Sequence, residues 1–191
     1  MEKKNNSIPI YLIRHGEAGK SWDEDKDPGL SFKGKEQALK LGRFLNEDLK
    51  NKKFKIISSP LKRAQETARP FSKERKQKIT INTKFSEIPS PGVSMKDRSN
   101  WLGTIFNIDI ENLEEPQNLW KNNILEEIKN TKEPTLIFSH FMVINVVLNK
   151  IFNHKKLVVF RPDNCSVTKI QVLNQKIKLI EQGQELFTIV N

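Results

Sequence analysis

The sequence predicts an α/β fold, a three-layer αβα sandwich around a mostly parallel central sheet. Short apolar runs of strand length alternate with longer stretches of helical period, and turn or helix-start residues bound the runs. No linker, internal repeat or low-complexity tract breaks the pattern over 191 residues. A chain of 22.2 kDa can bury a core of its own, so residues 1–191 read as one domain.

The elements follow in order. "IPIYLI" (8–13) is the first strand. From Lys35 to Leu49, Ala38, Leu41, Gly42, Leu45 and Leu49 share one helical face. "FKIIS" (54–58) is the second strand, and the next helix runs from Pro60 to Phe71, burying Ala64, Thr67, Ala68 and Phe71. Ser59 suits its N-cap and Pro60 its first position. "KITIN" (78–82) is the third strand, and "TLIFS" (135–139) precedes a helix from Phe141 to Phe152. "CSVTKIQVLNQKIKLIEQG" reads as two strands joined at Asn174-Gln175. Residues 86–130 interrupt the alternation with "EIPSPGV" and one helix, "QNLWKNNILEEIKN". Such an excursion is the usual place for a lid or specificity segment. Its Trp101, Phe106 and Trp120 either pack a satellite core or line a substrate site.

Composition excludes several classes. The net charge of +10 comes from lysines spread along the chain and mixed with acids. No aromatic residues interleave them as base stacking requires, so nucleic acid is not expected as a partner. The field would still draw in anionic substrates. The apolar run near the N-terminus is about six residues, too short for a signal peptide or a membrane span, so a cytoplasmic location and no membrane partner are expected. Cys165, the single cysteine, leaves no internal disulfide or cysteine metal cluster and suits core packing. His15, Glu17, His140 and His154 lack ligand spacing, so no metal is expected. "GLSFKGKE" (29–36) places Glu36 where a P-loop needs Ser or Thr, and opens a helix instead.

Ligands of parallel sheets bind outside the carboxyl ends of the strands. One strand here ends in Arg14-His15. Another ends in Ser58-Ser59 ahead of a helix whose first turn carries Arg63, and a third ends in Ser139-His140. Side by side they make a phosphate pocket. Arginine forks bind phosphoryl oxygens in pairs and stay charged. A histidine beside them is held neutral and nucleophilic, while a second, protonated, donates to the phosphoryl oxygens.

"LIRHGEA", "LSFKGKEQALKLG", "ISSPLKRAQETA", "LIFSHFMVINVVL" and "DNCSVTKI" resemble the successive motifs of the histidine phosphatase superfamily, phosphoglycerate-mutase-like branch. The likeness spans residues 9 to 172 apart from the excursion. It implies a metal-independent phosphatase, without organic cofactor, that is phosphorylated on His15 while Arg14, Arg63 and His140 hold the phosphate. Glu87 is the best positional match to the family's general acid; Glu17 is a weaker one that better suits shaping the loop after His15. The substrate is then a small phosphorylated metabolite or a phosphoprotein. The alternatives are a phosphoglycerate-type mutase, a protein-phosphohistidine phosphatase working without Glu87, and an inactive relative that only binds a phosphorylated ligand. Two departures stand out. Mutases usually carry Trp-Asn after the first motif, whereas no asparagine follows Trp22. Glycine commonly follows the second histidine, whereas Phe141 follows His140.

Overall fold

The computed structural model describes residues 7–21 and 24–186. Trp22 and the charged Met1–Lys4 terminus lie outside the described residues. Six strands form one sheet in the order β3-β2-β4-β1-β5-β6. They are β1 (Ile8–Arg14), β2 (Lys55–Ser58), β3 (Ile79–Ile81), β4 (Thr135–Ser139), β5 (Val167–Leu173) and β6 (Lys176–Glu181). β3, β2, β4 and β1 run parallel; β5 pairs antiparallel with β1, and β6 with β5.

Burial explains the sequence patterns. A parallel strand covered on both faces must be apolar nearly throughout, and all five residues of β4 are buried. β5 alternates buried and half-buried residues. The β5–β6 turn is Asn174-Gln175, with φ of 49° and 61°, the left-handed geometry of a two-residue hairpin.

Alternate residues of the central strands feed two cores. Tyr11, Ile13, Leu136 and Phe138 pack with Leu41, Leu45, Ala68 and Phe71 of α1 (Phe32–Asp48) and α2 (Lys62–Arg75). On the other face Ile10, Leu12 and Ile137 meet Val143, Val147, Ile124 and Ile128 of α5 (Phe141–Phe152) and α4 (Glu115–Lys129). Helices therefore cover both faces, the predicted sandwich. Among the described residues no helix is long and apolar enough to cross a membrane.

Three details differ from the sequence reading. α1 starts earlier, at Phe32, because the Ser31 hydroxyl oxygen accepts the Gly34 N–H at 2.9 Å. α2 starts later than expected: Leu61 is its N-cap, with no side-chain cap of its own. Ser59 stands two residues before that cap and its hydroxyl accepts the Leu61 N–H at 3.2 Å, while the Asp27 carboxylate accepts the Lys62 N–H at 2.8 Å. Within 86–130, a helix that the pattern did not announce, α3 (Arg98–Phe106), buries only Ile105. α4, by contrast, belongs to the core through Trp120, Ile124 and Ile128. Its half of the excursion is a structural layer.

Candidate active site

The register of β1 and β4 sets the first two site residues side by side. Arg14 is the partner of Ser139, and the His15 N–H donates to the Ser139 carbonyl at 3.0 Å. The Ser59 N–H likewise donates to the Phe138 carbonyl at 2.9 Å, tying the end of β2 to β4. Arg63, in the first turn of α2, then reaches the same edge. The imidazoles of His15 and His140 lie edge to face, with centroids 5.2 Å apart. Among the described residues His15, Arg63, Glu87 and His140 are all buried.

The loop after His15 is fixed by backbone contact. A Cβ on Gly16 would lie 2.7 Å from the Gly34 carbonyl oxygen, and one on Gly34 would lie 2.0 Å from that of Glu17. Only glycine permits that approach of the loop to α1. The Gly16 N–H donates to the Thr67 hydroxyl at 3.0 Å, which in turn donates to the Arg63 carbonyl. Thr67, read from the sequence as a helix-face residue, thus couples the His15 loop to the helix that presents Arg63. The threonine in "ETA", a polar residue on an apolar face, was the available signal.

His15 has a defined tautomer. Its Nδ1 lies 2.7 Å from the Gly16 carbonyl oxygen, which can only accept, so Nδ1 carries the proton. Nε2 then has a lone pair, and it accepts from Arg63 Nε at 3.0 Å. Burial lowers the His15 pKa well below the usual histidine value; Arg63 and then Arg14 lower it further, and the Gly16 carbonyl opposes them. The ring is neutral.

His140, the N-cap residue of α5, places Nε2 at 2.7 Å from the Ser59 hydroxyl. Ser59, expected as a helix cap, holds the Leu61 N–H just ahead of α2 and also positions this histidine. Burial again comes first in lowering the His140 pKa well below the usual value, followed by Arg63, His15 and Arg14. Before a phosphoryl group is bound, burial and the neighbouring cations thus favour a neutral His140. Among the described residues the buried His140 Nδ1, Arg14 Nε and Ser139 Oγ have no hydrogen-bond partner. Buried polar atoms are rarely left so, and ligand oxygens would satisfy them.

Arg14 donates from Nη1 to the Pro162 carbonyl at 2.7 Å, and its Cζ lies 5.5 Å from the centre of the Phe141 ring. Phe141 thus forms a wall beneath the guanidinium. Glu87 follows a short 3-10 turn at Thr83–Phe85. Its Oε1 accepts its neighbour Ile88's N–H at 3.0 Å. Burial raises its pKa above the usual carboxylate value, and the Ile88 N–H, Arg63 and Arg14 only partly offset this. The carboxyl can hold a proton beside two guanidinium groups.

Glu17 is not with them. Its carboxylate accepts the Ser31 hydroxyl at 2.8 Å and pairs with Lys33 at 3.0 Å, at the start of α1. It shapes the loop. His154 is exposed, accepting the Lys156 N–H in a turn. Cys165 is half-buried at φ 61°, and burial pushes its thiol up to about 12, which disfavours the nucleophilic thiolate. Among the described residues no three His, Cys, Asp or Glu are grouped to hold a metal ion.

The profile of the histidine phosphatase superfamily (branch 1) matches residues 10–184. No curated protein matches in sequence. Solved structures do match in fold. A putative alpha-ribazole-5'-P phosphatase from Escherichia coli str. K-12 substr. MG1655 has a TM-score of 0.72 at 20% identity, covering 96% of this chain and 100% of that one. Mycobacterial glucosyl-3-phosphoglycerate phosphatase with inorganic phosphate has a TM-score of 0.72 at 16% identity, covering 93% and 98%. Phosphoglycerate mutase from Bacillus anthracis str. Sterne has a TM-score of 0.67 at 22% identity, covering 95% of each chain.

Proposed function

Since the chain belongs to the histidine phosphatase superfamily, we propose that it hydrolyses phosphate monoesters through a phosphohistidine at His15. The observation that carries this is the His15 tautomer, with Nδ1–H held by the Gly16 carbonyl and the Nε2 lone pair turned to Arg63. A neutral imidazole so oriented is a ready nucleophile. The two neighbours named as phosphatases support hydrolysis as the outcome.

In the first step His15 Nε2 attacks phosphorus, the bond to the leaving oxygen breaks, and Glu87 gives that oxygen its proton. Arg63 Nε–H, which meets Nε2 directly, donates to an equatorial oxygen once phosphorus occupies that place. Arg14 Nε and His140 Nδ1 take further oxygens, His140 after picking up a proton that the phosphoryl charge favours. In the second step water attacks phosphorus, the Glu87 carboxylate takes its proton, and the nitrogen–phosphorus bond breaks. Phosphate leaves, and both residues are restored.

Rapid quench with labelled substrate is expected to trap an acid-labile, base-stable phosphoenzyme, and His15→Ala is expected to abolish it and turnover together. Activity is expected to survive exhaustive EDTA treatment, because the two guanidinium groups supply the positive charge. Label on serine, or turnover by His15→Ala, refutes the mechanism.

A further inference from the structure

A cavity of about 420 Å³ lies between α1 and the segment that enters β5. None of Arg14, His15, Arg63, Glu87 and His140 lines it. From α1 come Gln37, Lys40, Leu41 and Phe44, spaced to share one helical face. Cys165, Ser166 and Val167 make another wall, and residues 181–184 at the end of β6 a third. Three of the lining residues hold the segment that carries His15. The Ser166 carbonyl accepts the Arg14 N–H at 3.1 Å, and the Cys165 N–H donates to the His15 carbonyl at 3.4 Å. The Gln37 side-chain oxygen accepts the Glu17 N–H at 2.8 Å. The cavity is therefore separated from the nucleophile by one layer of hydrogen bonds.

Its lining is unfinished in three respects. Ser166 is 2% exposed, yet among the described residues its hydroxyl has no hydrogen-bond partner. Buried polar groups are seldom left so, and a ligand oxygen would complete this one. Phe44 is 52% exposed, and with Leu41 and Val167 it offers an apolar surface that no described side chain covers. Of the three charged residues in the lining, Lys169 and Glu181 pair with each other at 2.9 Å. Lys40 is exposed and makes no ion pair with a described residue. It stands one helical turn from Phe44, so a flat apolar face and an unopposed positive charge adjoin.

We infer that this cavity is an effector site for a compact aromatic carboxylate bearing a hydroxyl group, whose ring lies on Phe44 and whose charge meets Lys40. The hydroxyl serves Ser166. A ligand between α1 and Cys165-Ser166 bears on the ties to Arg14, His15 and Glu17 together, so its binding is coupled to the geometry of the nucleophile. The binding stands apart from the phosphatase reading; only its effect on rate rests on that reading.

The test titrates isotope-labelled protein with 6-hydroxy-2-naphthoate, using the neutral 6-hydroxy-2-naphthamide as control, and follows the backbone amides by NMR. Saturable shifts are expected at Phe44, Ser166 and Gly183, extending to Arg14 and His15. The neutral control is expected to bind about two- to fivefold more weakly, the worth of one exposed charge contact. Lys40→Gln is expected to weaken the acid by the same factor and leave the control unchanged. Phe44→Ser is expected to cost about tenfold for both. At saturation the acid is expected to lower kcat/KM for p-nitrophenyl phosphate at least twofold, and Phe44→Ser to need about tenfold more of it for the same effect. Shifts confined to the surroundings of His140 and Glu87, equal affinities for acid and control, or a rate effect untouched by Phe44→Ser overturn the inference. Saturable binding without a change in rate does so too. A protein that turns over no p-nitrophenyl phosphate fails the phosphatase reading instead, and the amide shifts then decide the site by themselves.

Discussion

The two sides of the site are built from different kinds of chain. On the phosphate side, Arg14, His15, Ser139 and His140 sit at the ends of β1 and β4, whose register makes Arg14 the partner of Ser139. On the proposed leaving-group side, Glu87 belongs to a segment without strands, where the Ser86 and Pro89 carbonyls are held by side chains of α4. The first arrangement has little freedom, since moving one residue means slipping a buried strand and turning its side chains to the wrong face. The second is fixed by a few contacts that substitution can redraw. Chemistry common to many esters can be stored in the first, and selection among esters in the second.

That contrast predicts two kinds of kinetic loss. The largest is expected on the leaving-group side. Glu87→Gln keeps size and hydrogen bonding but gives no proton, and a needed general acid is worth about 10²- to 10⁴-fold. In kcat/KM, which reads the first step, the loss should fall on alkyl phosphates, while p-nitrophenyl phosphate, whose leaving group departs without help, changes little. The kcat should fall on both, because Glu87 also takes the proton of the attacking water. The alkaline limb of the kcat/KM profile should go with it. Glu87 must be protonated in the first step, so activity falls as pH rises through its pKa, which lies above the usual carboxylate value. The acid limb should persist in the variant. His15 must be neutral, and its lowered pKa holds activity to more acidic pH than an ordinary histidine would. Equal losses in kcat/KM on both ester classes would give Glu87 a binding role instead.

Arg63→Lys tests the phosphate side. Lysine keeps the charge but loses the fork and the Nε–H that meets His15 Nε2. Removing one such donor costs on the order of 10²- to 10³-fold in comparable sites. Here the loss should be the same for alkyl and nitrophenyl esters, because both present the same phosphoryl group. A loss confined to alkyl esters would place Arg63 with the leaving group and erase the division between the two sides.

The same division decides what the sequence showed. Arg14, His15, Arg63 and His140 were legible because each follows, or lies one turn beyond, an apolar run that must be a buried strand, and parallel strands bring their ends together. Glu87 was found through the family motif, since a carboxylate in "SEIPSP" has no periodic neighbour to place it. α3 was missed because "RSNWLGTIF" buries one residue. Its contacts come from outside the helix, as Phe106 meets Phe141 edge to face at 5.2 Å. Ser59 is legible only in part: its hydroxyl does accept the Leu61 N–H at the entry to α2, but it also meets His140, 81 positions away. Such long-range partners leave no local trace.

The smallest expected effect concerns the residue that joins the two sides. Phe141 takes the place of the glycine common in the family, and its ring lies between Arg14 on the phosphate side and Phe106 on α3. A partly buried cation–π contact is worth roughly 0.5 to 2 kcal/mol, or about 2- to 30-fold in an equilibrium. If the ring steadies Arg14, Phe141→Leu, which fills space without an aromatic face, should lose about that factor in kcat/KM on every ester tested, p-nitrophenyl phosphate included. Phe141→Tyr keeps the face and should recover most of it. Urea midpoints of the two variants should agree, which separates the guanidinium contact from packing. Should Leu and Tyr instead behave alike, the ring only fills space, and the two sides of the site are joined through Pro162 and the backbone alone.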